Sequence, residues 1–321
     1  MTSGNLLADR RMAFARDLHA RGDTADALEI LEQALELAPG WVEGRFLRGE
    51  WLDAAGRRDD AVAAYKRCLE LDPADRMGAV LRLALLGAVA TPPVLPPAYV
   101  AGVFDEYAER FESALLERLD YTVPAELHAL VRSLAGDGAT YGRVLDLGCG
   151  TGLAGERFRT GCSWLEGVDL SERMVAQARR KSVYDLLEVG DARGFLATTP
   201  RSYDLILAAD VLVYLGELAP LAAAVARVLA PSGRFALSVE ATAGDGFRLT
   251  AGHRYAHSEA YLRRIVGEAG LAVEVVAETT CRLEAGSPLP AFLLVARRPP
   301  ADGARRDGDA AASPMRPPLN L

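Results

Sequence analysis

Midway along the chain, a set of acids and glycines has the types and spacing of a nucleotide site. Asp146 is followed by Gly148, Gly150 and Gly152; Asp169 falls 21 residues past Gly148; Asp191 follows Gly190, and Asp210 follows Ala209. Glycines placed after a short apolar run let the backbone take positive φ and press against a ligand with no Cβ between them. The helix expected beyond them favours negative groups at its start. An acid ending the next strand can accept hydrogen bonds from both hydroxyls of a ribose. A nicotinamide or flavin dinucleotide would require G-x-G-x-x-G, and here the third position is Leu153. The pattern is instead D-x-G-x-G-x-G.

A second group lies at His253, Arg254, Tyr255 and His257. The two imidazoles are candidate catalytic bases, and Arg254 and Tyr255 are candidate substrate contacts, with the guanidinium a clamp for a carboxylate. The competing reading makes Ser258 the start of a helix over Glu259 to Ala269, with its neighbours as capping and packing groups. As metal ligands the two histidines lack a third partner.

These residues need a scaffold, and the apolar pattern supplies one. Short apolar runs at 143–147, 164–169, 186–189, 203–208, 233–239, 271–277 and 291–296 alternate with amphipathic stretches. That alternation predicts a wound α/β domain with seven strands, mostly parallel. Ahead of it, Phe104, Tyr107 and Phe111 share one helical face, which suits either core packing or a lid above the site.

The first ninety residues repeat themselves at an offset of 34: Gly22 with Gly56, Ala27 with Ala61, Leu31 with Tyr65, Ala34 with Cys68, Leu37 with Leu71, Pro39 with Pro73. The period and the small-large-small-Pro order resemble tetratricopeptide repeats, although Arg11 and Arg45 stand at the family's first-helix Trp position. Two repeats, about 8–41 and 42–75, would be capped by a third helix over Met77 to Ala90. Four prolines within 91–97 favour an extended spacer. Expected boundaries are therefore a helical domain over 1–90, a linker over 91–98, an α/β domain over 99–297, and a disordered tail over 298–321, where Pro, Gly, Ala and charges show no apolar periodicity.

The D-x-G-x-G-x-G run resembles motif I of class I S-adenosylmethionine-dependent methyltransferases, and further matches follow in order over about 141–240. Asp169-Leu170-Ser171 through Met174 is similar to the family's turn beside the adenine; Gly190-Asp191-Ala192 resembles the motif that addresses the adenine amino group; Tyr203 through Ala209-Asp210 resembles the strand beneath the methionine. The helix 103–111 resembles the N-terminal helix of small-molecule members. The resemblance implies a Rossmann-like seven-stranded methyltransferase domain behind an all-α repeat domain, with S-adenosylmethionine as cofactor and S-adenosylhomocysteine as product. It assigns the cofactor to Tyr107, Phe111, Asp146, Gly148, Cys149, Gly150, Asp169, Leu170, Met174, Gly190, Asp191, Ala192, Ala209 and Asp210. Tyr214 falls where relatives place a substrate-facing aromatic or His. The arrangement most resembles bacterial methyltransferases carrying these repeats.

The expected reaction is methyl transfer to an oxygen or carbon of a small, acidic metabolite. The alternatives are a protein methyltransferase that recruits its substrate through the repeats, and a scaffold that binds the cofactor without turnover. The repeats themselves suit a neutral or basic peptide, with 15 acids against 10 bases over 8–75, or a packing or self-association role. A net charge of −8 without a basic stripe argues against nucleic acid. Four scattered cysteines suggest reduced cytoplasm rather than a disulfide framework. No apolar run is long enough to predict a membrane span or leader. The basic residues are arginine except Lys66 and Lys181, a bias of GC-rich bacterial genomes.

Overall fold

The computed structural model describes residues 2–113, 121–136, 138–284 and 286–300. Two helical hairpins come first: α1 (Leu6–Ala20) with α2 (Thr24–Leu37), and α3 (Val42–Ala54) with α4 (Arg58–Leu71). Ala27 and Ala61 are fully buried, as are Leu31 and Tyr65, so the residues that repeat in sequence are those that let the helices approach and fill the groove between them. The expected third helix is shorter than its apolar run. Helix α5 spans Ala79–Leu85, starting after Gly78 at φ +73° and closing in a turn whose Gly87 also has positive φ.

The proline segment is extended but does not hang free. Val94 bridges Leu215 in antiparallel fashion, and Pro93 O accepts from the amides of Gly216 and Glu217. Helix α6 (Pro97–Tyr107) follows, then α7 (Val123–Ala135). Leu81 of α5, Leu95 of the proline segment and Val100 of α6 form one buried cluster with Tyr255, against which Phe104 and Tyr214 pack. The repeat region thus shares its last core with the helix that covers the site. Leu81→Ala is expected to destabilise the protein by about 2–5 kcal/mol, the range for deleting a fully buried leucine side chain. Thermal melting checks this; an unchanged melting temperature would mean that the two regions do not support each other.

The α/β domain is built on β1 (Tyr141–Leu147), β2 (Cys162–Asp169), β3 (Leu186–Val189), β4 (Tyr203–Ala208), β5 (Leu229–Ala241), β6 (Phe247–Leu249), β7 (Tyr255–His257), β8 (Ala272–Glu284) and β9 (Ser287–Arg297). The main path is β3-β2-β1-β4-β5-β7-β6, with β9 antiparallel to β5 and β8 antiparallel to β9. All seven expected strands form; β6 and β7 are additions. They pair antiparallel, Phe247 opposite His257, and β7 also adds to the end of β5 at Glu240 and Ala241. Three-residue strands interrupted by a polar turn leave no periodic signature, so the stretch read as a helix entrance is a strand first.

Helices cover both faces of the sheet: α8 (Leu153–Phe158), α9 (Glu172–Lys181), α10 (Ala192–Thr198), α11 (Ala219–Val228) and α12 (Glu259–Glu268). Val144 and Leu205 point to the face covered by Val123, Leu127 and Val131 of α7, while Leu145 and Ile206 point to the opposite face with Val225 and Leu262. Side chains of a strand alternate, and burial on both faces explains why these strands read as continuous apolar runs. Strand order reverses between β1 and β4, and open sheets of this kind leave a crevice at the carboxyl ends of the strands there. The expected tail lies outside the described residues from 301 onward.

Candidate functional site

The crevice at the reversal point is lined by the glycine loop, by the strand-end acids and by α6. Gly148 sits at φ +67°, and a Cβ there would lie 2.3 Å from Val211 Cγ2, so the loop both needs the left-handed backbone and has no room for a side chain. At Gly150, φ +53°, a Cβ would meet only Phe111, at 4.0 Å, and would stand in the cleft. The side chain of Thr151, also on the wall, has its hydroxyl oxygen buried with no hydrogen-bond partner among the described residues. A buried polar atom left this way in a cleft suits a ligand that brings its own polar group.

Each acid is held differently. Asp169 Oδ2 accepts from Gly150 N at 2.9 Å and Oδ1 from Ser171 N at 2.8 Å, so this carboxylate ties the glycine loop to the start of α9. A carboxylate has about four acceptor sites, so capacity remains for two hydroxyls. Burial pushes its pKa up, opposed by those two backbone donors. Asp146 is 1% exposed and accepts from Tyr184 Oη at 2.7 Å; burial pushes it up to about 7. Asp191 caps α10, its Oδ2 accepting from Gly194 N at 2.9 Å, and also lines the cleft. Asp210 has φ +56°, a left-handed conformation that Asp tolerates better than most residues, and its N–H donates to Ser238 Oγ at 2.8 Å. Burial pushes its carboxyl up to about 6 against the pull of Arg254.

The covering helix is latched at its far end. Asp105 Oδ1 accepts from Ser171 Oγ at 2.6 Å and from Arg173 N at 3.2 Å, placing a carboxylate at the first turn of α9, where the helix dipole favours it. Phe104 packs edge-on against Phe111 and against Tyr214, with centroids 5.9 and 5.4 Å apart. Asp105 was not singled out from the sequence, because its partner lies 66 residues away.

Beyond Asp210 the wall carries paired charges. Arg282, 4% exposed, meets Glu240 at 2.7 Å and Asp210 at 3.6 Å; Arg254 meets Glu240 at 3.5 Å and lies over the Tyr214 ring at 5.9 Å. Arg254, expected as a carboxylate clamp, lines the cleft and shares Glu240 with Arg282. Arg282 and Glu240 escaped sequence reading; they sit in strands where a charge resembles an ordinary outward-facing residue.

Of the expected cofactor residues, Phe111, Asp146, Gly148, Cys149, Gly150, Asp169, Leu170, Gly190, Asp191, Ala192, Ala209 and Asp210 line the cleft, as do Tyr214 and Arg254. Tyr107 does not; it is 39% exposed and touches Phe111 from outside. Met174 is buried away from the cleft, with its amide capped by Ser171. Tyr255 is fully buried in β7 and donates its hydroxyl hydrogen to Pro92 O. Tyr121 and Val100 are among the wall residues that had no sequence signal.

Both catalytic histidines are corrected. His257 is fully buried, its Nε2 lying 2.9 and 3.1 Å from Leu215 O and Gly216 O, and burial pushes it down to about 4. It is a neutral packing group beside Tyr261, while Ser258 caps α12 by accepting from Tyr261 N. His253 has φ +56° in the turn between β6 and β7, and its Nδ1 lies 3.4 Å from Tyr99 Oη. Burial, with Arg82 adding to it, lowers its pKa. Neither lines the cleft.

Comparison with known proteins fits this geometry. A methyltransferase-domain profile matches residues 144–233, and a tetratricopeptide-repeat profile matches 18–85. The chain carries a methyltransferase domain behind tetratricopeptide repeats. The chain is 47% identical over 49 residues to malonyl-[acyl-carrier protein] O-methyltransferase of Erwinia pyrifoliae, covering 15% of this chain and 19% of that protein. It is 33% identical over 98 residues to ubiquinone biosynthesis O-methyltransferase of Thiobacillus denitrificans, covering 28% of this chain and 41% of that one. The chain thus spans about a fifth and two-fifths of these curated relatives. Magnesium protoporphyrin IX methyltransferase of Synechocystis, solved with bound S-adenosylhomocysteine, shares the fold at a TM-score of 0.50 and 21% identity, covering 63% of this chain and 99% of that one. Among the described residues no helix is long and apolar enough to cross a membrane.

Proposed function

We propose that the cleft binds S-adenosylmethionine and that the protein transfers its methyl group to an oxygen or carbon of a small metabolite. The observation that carries this reading is the convergence of Asp146, Asp169 and Asp191, from three successive strand ends, on one cleft with the glycine loop and the partnerless Thr151 hydroxyl. Asp169 would take the ribose hydroxyls, Asp191 and Ala192 the adenine, and the Gly148–Gly150 backbone with Asp146 the amino-acid end. The sulfonium of the cofactor supplies an electrophilic methyl, so the protein has to align and desolvate rather than activate it.

With both histidines turned away, the proton acceptor for a hydroxyl or acidic carbon is Asp210, a carboxyl on the cleft wall poised near neutrality. Phe104, Phe111 and Val100 would exclude water above the reacting atoms. An acidic acceptor would engage Arg254 in competition with Glu240, 3.5 Å away. Calorimetry should register micromolar binding of S-adenosylmethionine. Incubating the protein with deuterated-methyl cofactor and a bacterial metabolite extract should then yield a mass-shifted product. Absence of binding heat would remove the reading; binding with no labelled small molecule would leave only the scaffold or protein-substrate forms.

A further inference from the structure

Tyr184 belongs to no motif, yet it is built into the floor of the glycine loop. A Cβ at Gly155 would lie 2.3 Å from its ring, one at Gly152 3.0 Å and one at Gly167 3.0 Å. Three glycines, from the loop, α8 and β2, therefore make room for one phenol. Gly152, the last glycine of the loop pattern, faces this ring. The hydroxyl of Tyr184 then donates to Asp146 Oδ2 at 2.7 Å.

We propose that Tyr184 is a positioning residue that holds the Asp146 carboxylate at the base of the loop and so sets the pH range over which the cleft accepts the ammonium group of its nucleoside cofactor. The proposal rests on the cofactor reading above. The titratable groups that act on Asp146 among the described residues are Tyr184, Asp169 from the end of β2, the Cys149 thiol of the loop and the buried phenol of Tyr121, and none of them is a cation. An ammonium group arriving with the cofactor would meet a carboxylate whose charge is otherwise supported by this single phenol. Burial raises the Asp146 pKa to about 7, and the hydrogen bond from Tyr184 opposes that rise. The charged form favours a cation, so affinity should fall as pH drops below about 7. Removing the phenolic donor moves that fall to higher pH.

The test is calorimetric titration of S-adenosylhomocysteine into the full chain across pH. In Tyr184→Phe, which keeps the ring in its glycine seat, a one-unit rise in the carboxyl pKa should lower affinity about fivefold at pH 7 and about tenfold below about pH 6, and affinity should approach wild type at about pH 8.5. Asp146→Asn should bind weakly with no such pH dependence, and adding Tyr184→Phe to it should change little further, since the partner is gone. Equal weakening of Tyr184→Phe at every pH would overturn the proposal, as would no weakening at all. Wild-type protein that gives no heat at any pH would remove the cofactor reading and this proposal with it; wild-type binding with an unshifted variant profile would remove the proposal alone. Thermal melting of each variant confirms that the titrations compare folded proteins.

Discussion

Exchanging Asp169 for alanine is expected to abolish measurable binding of S-adenosylmethionine. Two losses combine. The carboxylate would supply acceptors for both ribose hydroxyls, and hydrogen bonds to a charged group contribute about 1.5–3 kcal/mol each. Their sum corresponds to a loss of about 100-fold or more. The same side chain also accepts from Gly150 N and Ser171 N, so its removal frees the glycine loop from the start of α9. Asp169→Asn keeps one acceptor oxygen and should fall between wild type and alanine. Isothermal calorimetry measures this directly, and an unchanged isotherm in Asp169→Ala would mean that the ribose does not lie there.

Exchanging Asp210 for asparagine should leave the cofactor bound and cost about 10²- to 10⁴-fold in turnover on an acceptor that must lose a proton, the usual worth of a positioned base. Asparagine tolerates the left-handed backbone that residue 210 adopts, so the loop should keep its shape. In the wild type, activity should fall as pH drops through about 6, where the carboxyl takes up a proton, and the variant should lose that limb. Stability should move the other way. The folded-state pKa lies above the ordinary 3.8, so the fold favours the neutral acid; its stabilising contribution is present at low pH and lost as pH rises through about 6. At neutral pH the uncharged amide should therefore raise the melting temperature by a few degrees. Turnover of the labelled product that is unaffected in Asp210→Asn would show that the acceptor needs no base or finds another.

The strand-end acids and glycines could be read from sequence because close backbone approach leaves a local mark: only glycine permits it, and the acids follow short apolar runs at fixed distances. The same holds for the repeats, where Ala27 and Ala61 recur because two helices must touch. The N-caps Ser171, Asp191 and Ser258 are local in the same way, each bonding an amide three residues on.

The substrate side was not legible, because it depends on which strands lie side by side. Addition of β7 to the end of β5 sends His257 into the core against Leu215 O and Gly216 O, 42 and 41 residues earlier in the chain, and leaves Arg254 beside Glu240. The long β8 carries Arg282 between Glu240 and Asp210. A histidine in a polar stretch looks the same in sequence whether its ring faces a cleft or a packed interior. Where the backbone must bend, where helices are capped and which acids end the strands are legible in the residue order, because those demands fall on neighbours in the chain. Tertiary structure alone decided which ionisable groups face the cleft and which are neutralised, because burial and pairing are set by residues far apart in sequence.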